Sequence, residues 1–166
     1  MIYVTGADGW LGSNLVKAIS GGYTEKWGLP KDRIKAFVQP KSKKDRLVSI
    51  SKSIQICNGD IRNKEDIKSF LDGSNESILF HTAGIIHPKY VSEFYSINYR
   101  GTRNLLEVAS SKNIKKVVII SSNSPCGCNP HPNHLFTEES DYNPYMGYGK
   151  SKMKMEKLAN EYFSKD

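Results

Sequence analysis

Short apolar runs alternate with longer stretches in which apolar residues recur at helical spacing, and this alternation predicts parallel strands joined by right-handed helical crossovers. Five strands are predicted, at 1–5, 34–38, 53–57, 77–82 and 116–121. Helices are predicted to begin near Trp10, Lys64, Val91 and Tyr145. The third carries Phe94, Ile97, Asn98, Leu105, Val108 and Ala109 close to a helical repeat, with Gly101 interrupting it without necessarily breaking it. Val117-Val118-Ile119-Ile120 is apolar on both faces, the pattern of a strand covered by helices on each side. A three-layer α/β architecture with a parallel sheet follows. Residues 21–31 and 125–143 read as the least structured stretches, and the second is long for a loop in a compact domain, a hint of function or mobility.

The length of 166 residues suits a single domain. Hydrophobic residues make up 38% and charged residues 25%, ordinary for a globular protein, and no apolar run reaches the roughly 18 to 20 residues of a membrane span. A membrane partner is therefore not expected. No secretory signal is visible after Met1, so the cytoplasm is the expected compartment. Cys57, Cys126 and Cys128 are an odd set, which fits a reducing environment better than a disulfide framework. The formal charge of +7 favours anionic partners. The lysines cluster at 41–44, 112–116 and 150–157 without an aromatic-rich basic motif, so they read as solvated helix ends and loops, and no nucleic-acid partner is expected.

Chemistry enters at the first strand. Gly6, Gly9 and Gly12 recur every three residues in Thr5-Gly6-Ala7-Asp8-Gly9-Trp10-Leu11-Gly12, at a strand-to-helix junction where a dinucleotide pyrophosphate can approach backbone N–H groups and a helix amino terminus. The alternative is a purely structural turn. The second strand runs into Gln39-Pro40-Lys41-Ser42-Lys43-Lys44, without the acid that binds the adenosine ribose of NAD. Lys41, Ser42 and Lys43 could meet a phosphate instead, so NADP is preferred to NAD, with a solvent-facing basic loop as the competing reading.

A second device lies near the far end. Tyr148 and Lys152 stand four apart, on one face of a helix, and can present a phenol and an ammonium to one bound molecule. A free tyrosine has a pKa of about 10, and a neighbouring ammonium favours the phenolate, which suits proton exchange with a substrate hydroxyl. Ser122 ends the fifth strand, on the sheet edge where ligands bind in this architecture, and can hold the substrate oxygen. Each of the three has a structural alternative; their joint occurrence is what favours chemistry.

With the Thr5 to Gly12 turn, Asp60, His81-Thr82-Ala83-Gly84, Asn98, Ser122, and Tyr148 with Lys152 in this order, the chain resembles the extended short-chain dehydrogenase/reductases, the NAD(P)-dependent epimerase/dehydratase group. The resemblance implies, as the expected fold, a Rossmann-type doubly wound parallel sheet of order 3-2-1-4-5, in which Gly6, Gly9, Trp10, Leu11 and Gly12 surround the pyrophosphate, with Gln39 and Lys41 beyond it. It implies that Asp60 and Ile61 contact adenine and that Thr82, Ala83, Gly84 and Ser121 line the cofactor. Ser122, Tyr148 and Lys152 would carry the chemistry, with Asn98 supporting the lysine. Members of the group run substantially longer, with a carboxyl-terminal lobe over the substrate, whereas this chain reaches Asp166 just beyond the Tyr148 helix. It is therefore expected to be the cofactor-binding part, acting by hydride transfer on a small molecule such as a sugar nucleotide, with a homodimer compatible. A dinucleotide-binding regulator without turnover is the rival reading, and a basic nucleic-acid module the weakest.

Cys126, Cys128, His131 and His134 fall within nine residues and invite a zinc hypothesis. Their spacing is tighter than structural zinc patterns and two prolines stiffen the loop, so no metal is expected. His81 reads as a strand-end residue satisfied by hydrogen bonds, and Cys57 as a small apolar residue.

Overall fold

The computed structural model describes residues 1–21, 33–42 and 44–163. Most of the predicted loop at 21–31, and Lys43, lie outside them. Five parallel strands, β1 (Ile2–Thr5), β2 (Ile34–Val38), β3 (Gln55–Asn58), β4 (Ile78–His81) and β5 (Lys116–Ile119), form one sheet in the order β3-β2-β1-β4-β5. This is the expected order. Register sets Thr5 beside both Phe37 and His81, so β1, β2 and β4 end level along one edge.

The strands bury alternate residues on opposite faces, as a period of two requires. Ile2 and Val4 of β1 pack with Val16 and Ile19 of α1 (Trp10–Ser20) and Leu47 of α2 (Asp45–Ile50). Tyr3 points the other way, among Phe70 at the end of α3 (Lys64–Phe70), Leu79, and Leu105 of α4 (Thr102–Ala109). Phe70 anchors that face, edge-on to Tyr3 at 5.4 Å between ring centroids and tilted against Phe37 at 4.8 Å. Complete burial of such a side chain contributes about 1.5–3 kcal/mol.

Three differences from the expected pattern have local causes. No helix is predicted between the second and third strands, where α2 forms because Leu47 is fully buried against the α1 face and Ile50, three residues on, packs against the same cluster. The helix expected near Val91 contains a π-helical segment, Phe94–Gly101, that runs directly into α4. Gly101 sits at the joint without breaking it, pressed so near Ile61 that a methyl group there would lie 2.7 Å from Cγ2. Finally, β5 is less buried than a strand enclosed on both faces: Val117, Val118 and Ile119 are each half-buried, with Val117 and Ile119 packed against Leu106, Leu158 and Ala159, the last two from α5 (Gly147–Phe163), and Ile120 stands 36% exposed at the edge of the sheet.

The long crossover from β5 to α5 is pinned at its neck. Asn143 N donates to Pro125 O at 2.9 Å, and Gly127 takes a left-handed conformation (φ +86°) so close to Asn143 O that a methyl group would lie 2.2 Å from it. Among the described residues no helix is long and apolar enough to cross a membrane.

Candidate functional site

The turn after β1 is built on glycines because the backbone folds onto itself. Gly6 has φ +64°, and a methyl group on it would lie 2.7 Å from Ala83 N and Cα. Gly9 N donates to Gly6 O at 3.0 Å, and at Gly12 a methyl group would lie 2.2 Å from the same oxygen. No side chain caps α1 at Gly9, an end of the kind that binds anions through its first backbone N–H groups. Beside the turn runs a cleft of about 640 Å³. Gly6, Asp8 and Gly9 line one wall, Gln39 and Lys41 the end near β2, and Thr82, Ala83 and Gly84 the wall after β4. Of the residues expected around a pyrophosphate, Trp10 is 78% exposed, Leu11 lies at the surface and Gly12 is buried behind Gly6. A glycine turn closed to any Cβ, beside a cleft of this size and an uncapped helix end, fits a dinucleotide.

Asp60 and Ile61 line the same cleft, with Arg62 next to them. Arg62 Nε donates to Asp60 Oδ1 at 2.9 Å and Nη2 to Oδ2 at 2.5 Å, and the hydrogen bonding from Arg62 holds the Asp60 carboxyl below its ordinary range. The turn is held from below, where Asp66 accepts from Asp60 N at 2.8 Å and Asn104 donates to Arg62 O at 3.0 Å. At the other rim Ser42 Oγ donates to Asp8 Oδ2 at 2.5 Å, so Ser42 is already engaged, whereas Lys41 is exposed.

Gly84 joins the cleft to the second group of residues. A methyl group there would lie 3.3 Å from Asn98 Oδ1 and 3.7 Å from Lys152 Nζ. Lys152 is 5% exposed, donates to Ile120 O at 2.8 Å, and burial lowers its pKa to about 8 against the opposing charge of Glu156. Asn98, buried in the π-helical segment, clamps Ile85 by both backbone groups, accepting from its N at 2.8 Å and donating to its O at 3.0 Å, and also donates to Ser151 Oγ at 3.1 Å. Its amide thus holds the loop after β4 and the residue next to Lys152. Tyr148, one turn before Lys152, is half-buried with its ring centroid 5.9 Å from that of Phe94. Ser122 lies three residues past the end of β5, donating to Ser124 Oγ at 3.0 Å and accepting from Ser124 N at 3.2 Å. The first turn of α5 rests on this serine loop: Gly149 meets Ser124, and a methyl group on it would lie 2.6 Å from Ser124 O.

His81 is satisfied, as the sequence reading expects. Thr102 Oγ1 donates to Asn98 O at 2.7 Å, so it accepts from His81 Nε2 at 2.8 Å, and Thr5 Oγ1 then donates to Nδ1 at 2.7 Å while accepting from Ala83 N at 3.3 Å. The imidazole is neutral, and burial first, then the charge of Lys152, lowers its pKa to about 3. Cys57 is half-buried against the Tyr3 face, and burial raises its thiol pKa.

Sequence reasoning passed over several residues here. Ser121 Oγ hydrogen-bonds Glu156 Oε1, and Glu156 also bonds the Tyr142 hydroxyl, whose pKa burial and that bond push up to about 12. Glu156 stands four residues after Lys152, and that spacing was the available signal. Arg62 and Asp8 were legible only as charges beside named motifs. In the crossover, His131, His134 and Phe136 stack edge to face at 5.5 and 5.0 Å. Among the described residues no three His, Cys, Asp or Glu side chains are grouped to hold a metal.

The chain was compared with known proteins. It is 42% identical over 159 residues to the uncharacterized protein y4nL of Sinorhizobium fredii, an alignment covering 95% of this chain and 44% of that protein. It is 27% identical to UDP-glucose 4-epimerase of Pisum sativum, over 96% of this chain and 47% of the relative. The fold superimposes on dTDP-glucose 4,6-dehydratase DesIV of Streptomyces venezuelae, solved with NAD and TYD bound, with a TM-score of 0.88 at 24% identity, covering 98% of this chain and 51% of that one. The UDP-Glc/GlcNAc 4-epimerase of Campylobacter jejuni gives 0.85 at 18% identity, covering 99% and 49%. The chain therefore spans about half the length of the proteins it matches. Residues 2–166 match the model of the NAD dependent epimerase/dehydratase family, and with the glycine turn and sheet order above, this chain belongs to that family.

Proposed function

We propose that the cleft binds a nicotinamide adenine dinucleotide and that Ser122, Tyr148 and Lys152 perform proton transfer in an epimerase, dehydratase or reductase reaction on a sugar nucleotide. The observation that carries this reading is Gly84, which lines the cleft while lying against both Lys152 and Asn98. In this assignment Gly6, Gly9 and the start of α1 hold the pyrophosphate, Asp60 and Ile61 lie at the adenine, and Thr82 to Gly84 line the approach to the nicotinamide. The bound nicotinamide supplies a hydride acceptor and donor.

The chain's own residues do the rest. Tyr148 takes the proton of a substrate hydroxyl as the carbon is oxidised and returns it on reduction, Ser122 orients that oxygen, and Lys152, charged below about pH 8, holds the phenolate form and the ribose. Asn98 fixes the loop after β4 against α5, so that these groups keep their spacing. Sugar nucleotides are the substrate class because the matched epimerase and dehydratase act on UDP- and dTDP-linked glucose.

The test is a titration of NADH fluorescence, followed by hydride exchange with UDP- and dTDP-hexoses. Saturable binding and measurable exchange are expected, and absence of binding would overturn the proposal. Binding without exchange would select the other reading, a dinucleotide sensor without turnover.

A further inference from the structure

We propose that Asp8 sets the coenzyme preference of this cleft, acting as the ribose-hydroxyl acceptor that the end of β2 lacks and selecting NAD over a dinucleotide bearing a 2′-phosphate. The inference rests on the reading of the cleft as a dinucleotide site. In this fold an acid at the end of the second strand accepts from the ribose hydroxyls, and a cation there meets the extra phosphate. Here that position is Gln39, which is neutral. Asp8 reaches the same cleft from the glycine turn, between Gly6 and Gly9.

Ser42 Oγ donates to Asp8 Oδ2 at 2.5 Å, fastening the carboxylate to the loop that follows β2. The hydroxyl that could have met a phosphate is thereby committed to an anion. A carboxylate offers about four acceptor positions, so the bond to Ser42 leaves capacity for a ribose hydroxyl. Among the described residues, the cations nearby oppose this weakly. Arg62 is committed to both oxygens of Asp60, and Lys41 is exposed, where solvent screens it. A 2′-phosphate, itself carrying nearly two negative charges, would enter a corner already held by a fixed carboxylate. This reverses the preference for NADP that Lys41, Ser42 and Lys43 suggest in the sequence, of which Lys43 lies outside the described residues.

The experiment measures dissociation constants of NADH and NADPH by fluorescence for the unmodified chain, Asp8→Asn and Asp8→Ser. The unmodified chain is expected to bind NADH at least about tenfold more tightly, the ratio that a difference of 1.4 kcal/mol produces. Asp8→Asn, which can keep the Ser42 bond, is expected to reduce that ratio about fivefold or more, chiefly by tightening NADPH, and Asp8→Ser to act in the same direction. Equal or tighter NADPH binding by the unmodified chain, or an unchanged ratio in both variants, would overturn the inference while leaving the dinucleotide reading intact. Failure to bind either nucleotide would overturn both.

Discussion

On the proposed mechanism, replacing Tyr148 by phenylalanine is expected to lower hydride exchange with a sugar nucleotide by about 10²- to 10⁴-fold, the range for loss of a positioned acid–base group, with little change in dinucleotide affinity. The ring stays, and with it the packing against Phe94 at 5.9 Å; only the hydroxyl is lost. Fold and cleft should therefore survive, and a thermal melt coincident with that of the unmodified chain checks this. The same mechanism fixes an alkaline limb. Burial has lowered the Lys152 pKa to about 8, so its ammonium is present below that pH and disappears above it. Exchange in the unmodified chain should decline as pH rises through 8. Tyr148→Phe that retained full exchange would remove the phenol from the mechanism.

The second large effect is on stability in acid and comes from His81. Its neutral ring completes a directed chain from Ala83 N through Thr5, the imidazole and Thr102 to Asn98 O, joining β1 and β4 to the π-helical segment. An imidazolium donates from both nitrogens and has no lone pair for Thr5 Oγ1–H, so protonation breaks the chain. In the unfolded chain histidine titrates near 6.5, whereas in the fold its pKa falls to about 3. Between these values the unfolded state binds the extra proton, so stability is fully present above about pH 6.5 and is lost as pH falls toward 3. At 1.36 kcal/mol per unit the loss is on the order of 3–5 kcal/mol, comparable with the whole stability of a small domain. Urea unfolding from pH 7.5 to 4 should show this slope. His81→Asn, less stable at neutral pH, should show a shallower one, and equal slopes would assign the acid loss to carboxylates elsewhere.

The fold was legible because its signals are redundant. Five apolar runs, a glycine turn after the first and helical spacing between them leave little choice of architecture. What escaped depended on tertiary neighbours. Residues 45–50 form α2 through Leu47, fully buried, and Ile50, packed against the same cluster three residues on, and six residues are too few for that spacing to stand out as a helical repeat. The apolar run in β5 pointed to a strand enclosed on both faces, whereas Val117, Val118 and Ile119 are each half-buried, because apolar content reports the capacity for burial and says nothing of which neighbour is present. At the site, the glycine turn, Thr82 to Gly84, Asn98 and Lys152 were found as motif residues. Asp8 was not, since an acid inside a glycine turn acquires its meaning only when Ser42, 34 residues away, is seen to donate to it. Glu156 escaped in the same way, through its bond to Ser121.

The most direct test of the whole account is a crystal structure of the chain with NAD. The account predicts adenine beside Asp60 and Ile61, the pyrophosphate over Gly9 and the start of α1, and the nicotinamide near Gly84, with the Tyr148 hydroxyl, Ser122 Oγ and Lys152 Nζ all turned toward it. A dinucleotide bound elsewhere, or a nicotinamide that leaves Tyr148 and Ser122 facing away from it, would contradict the account.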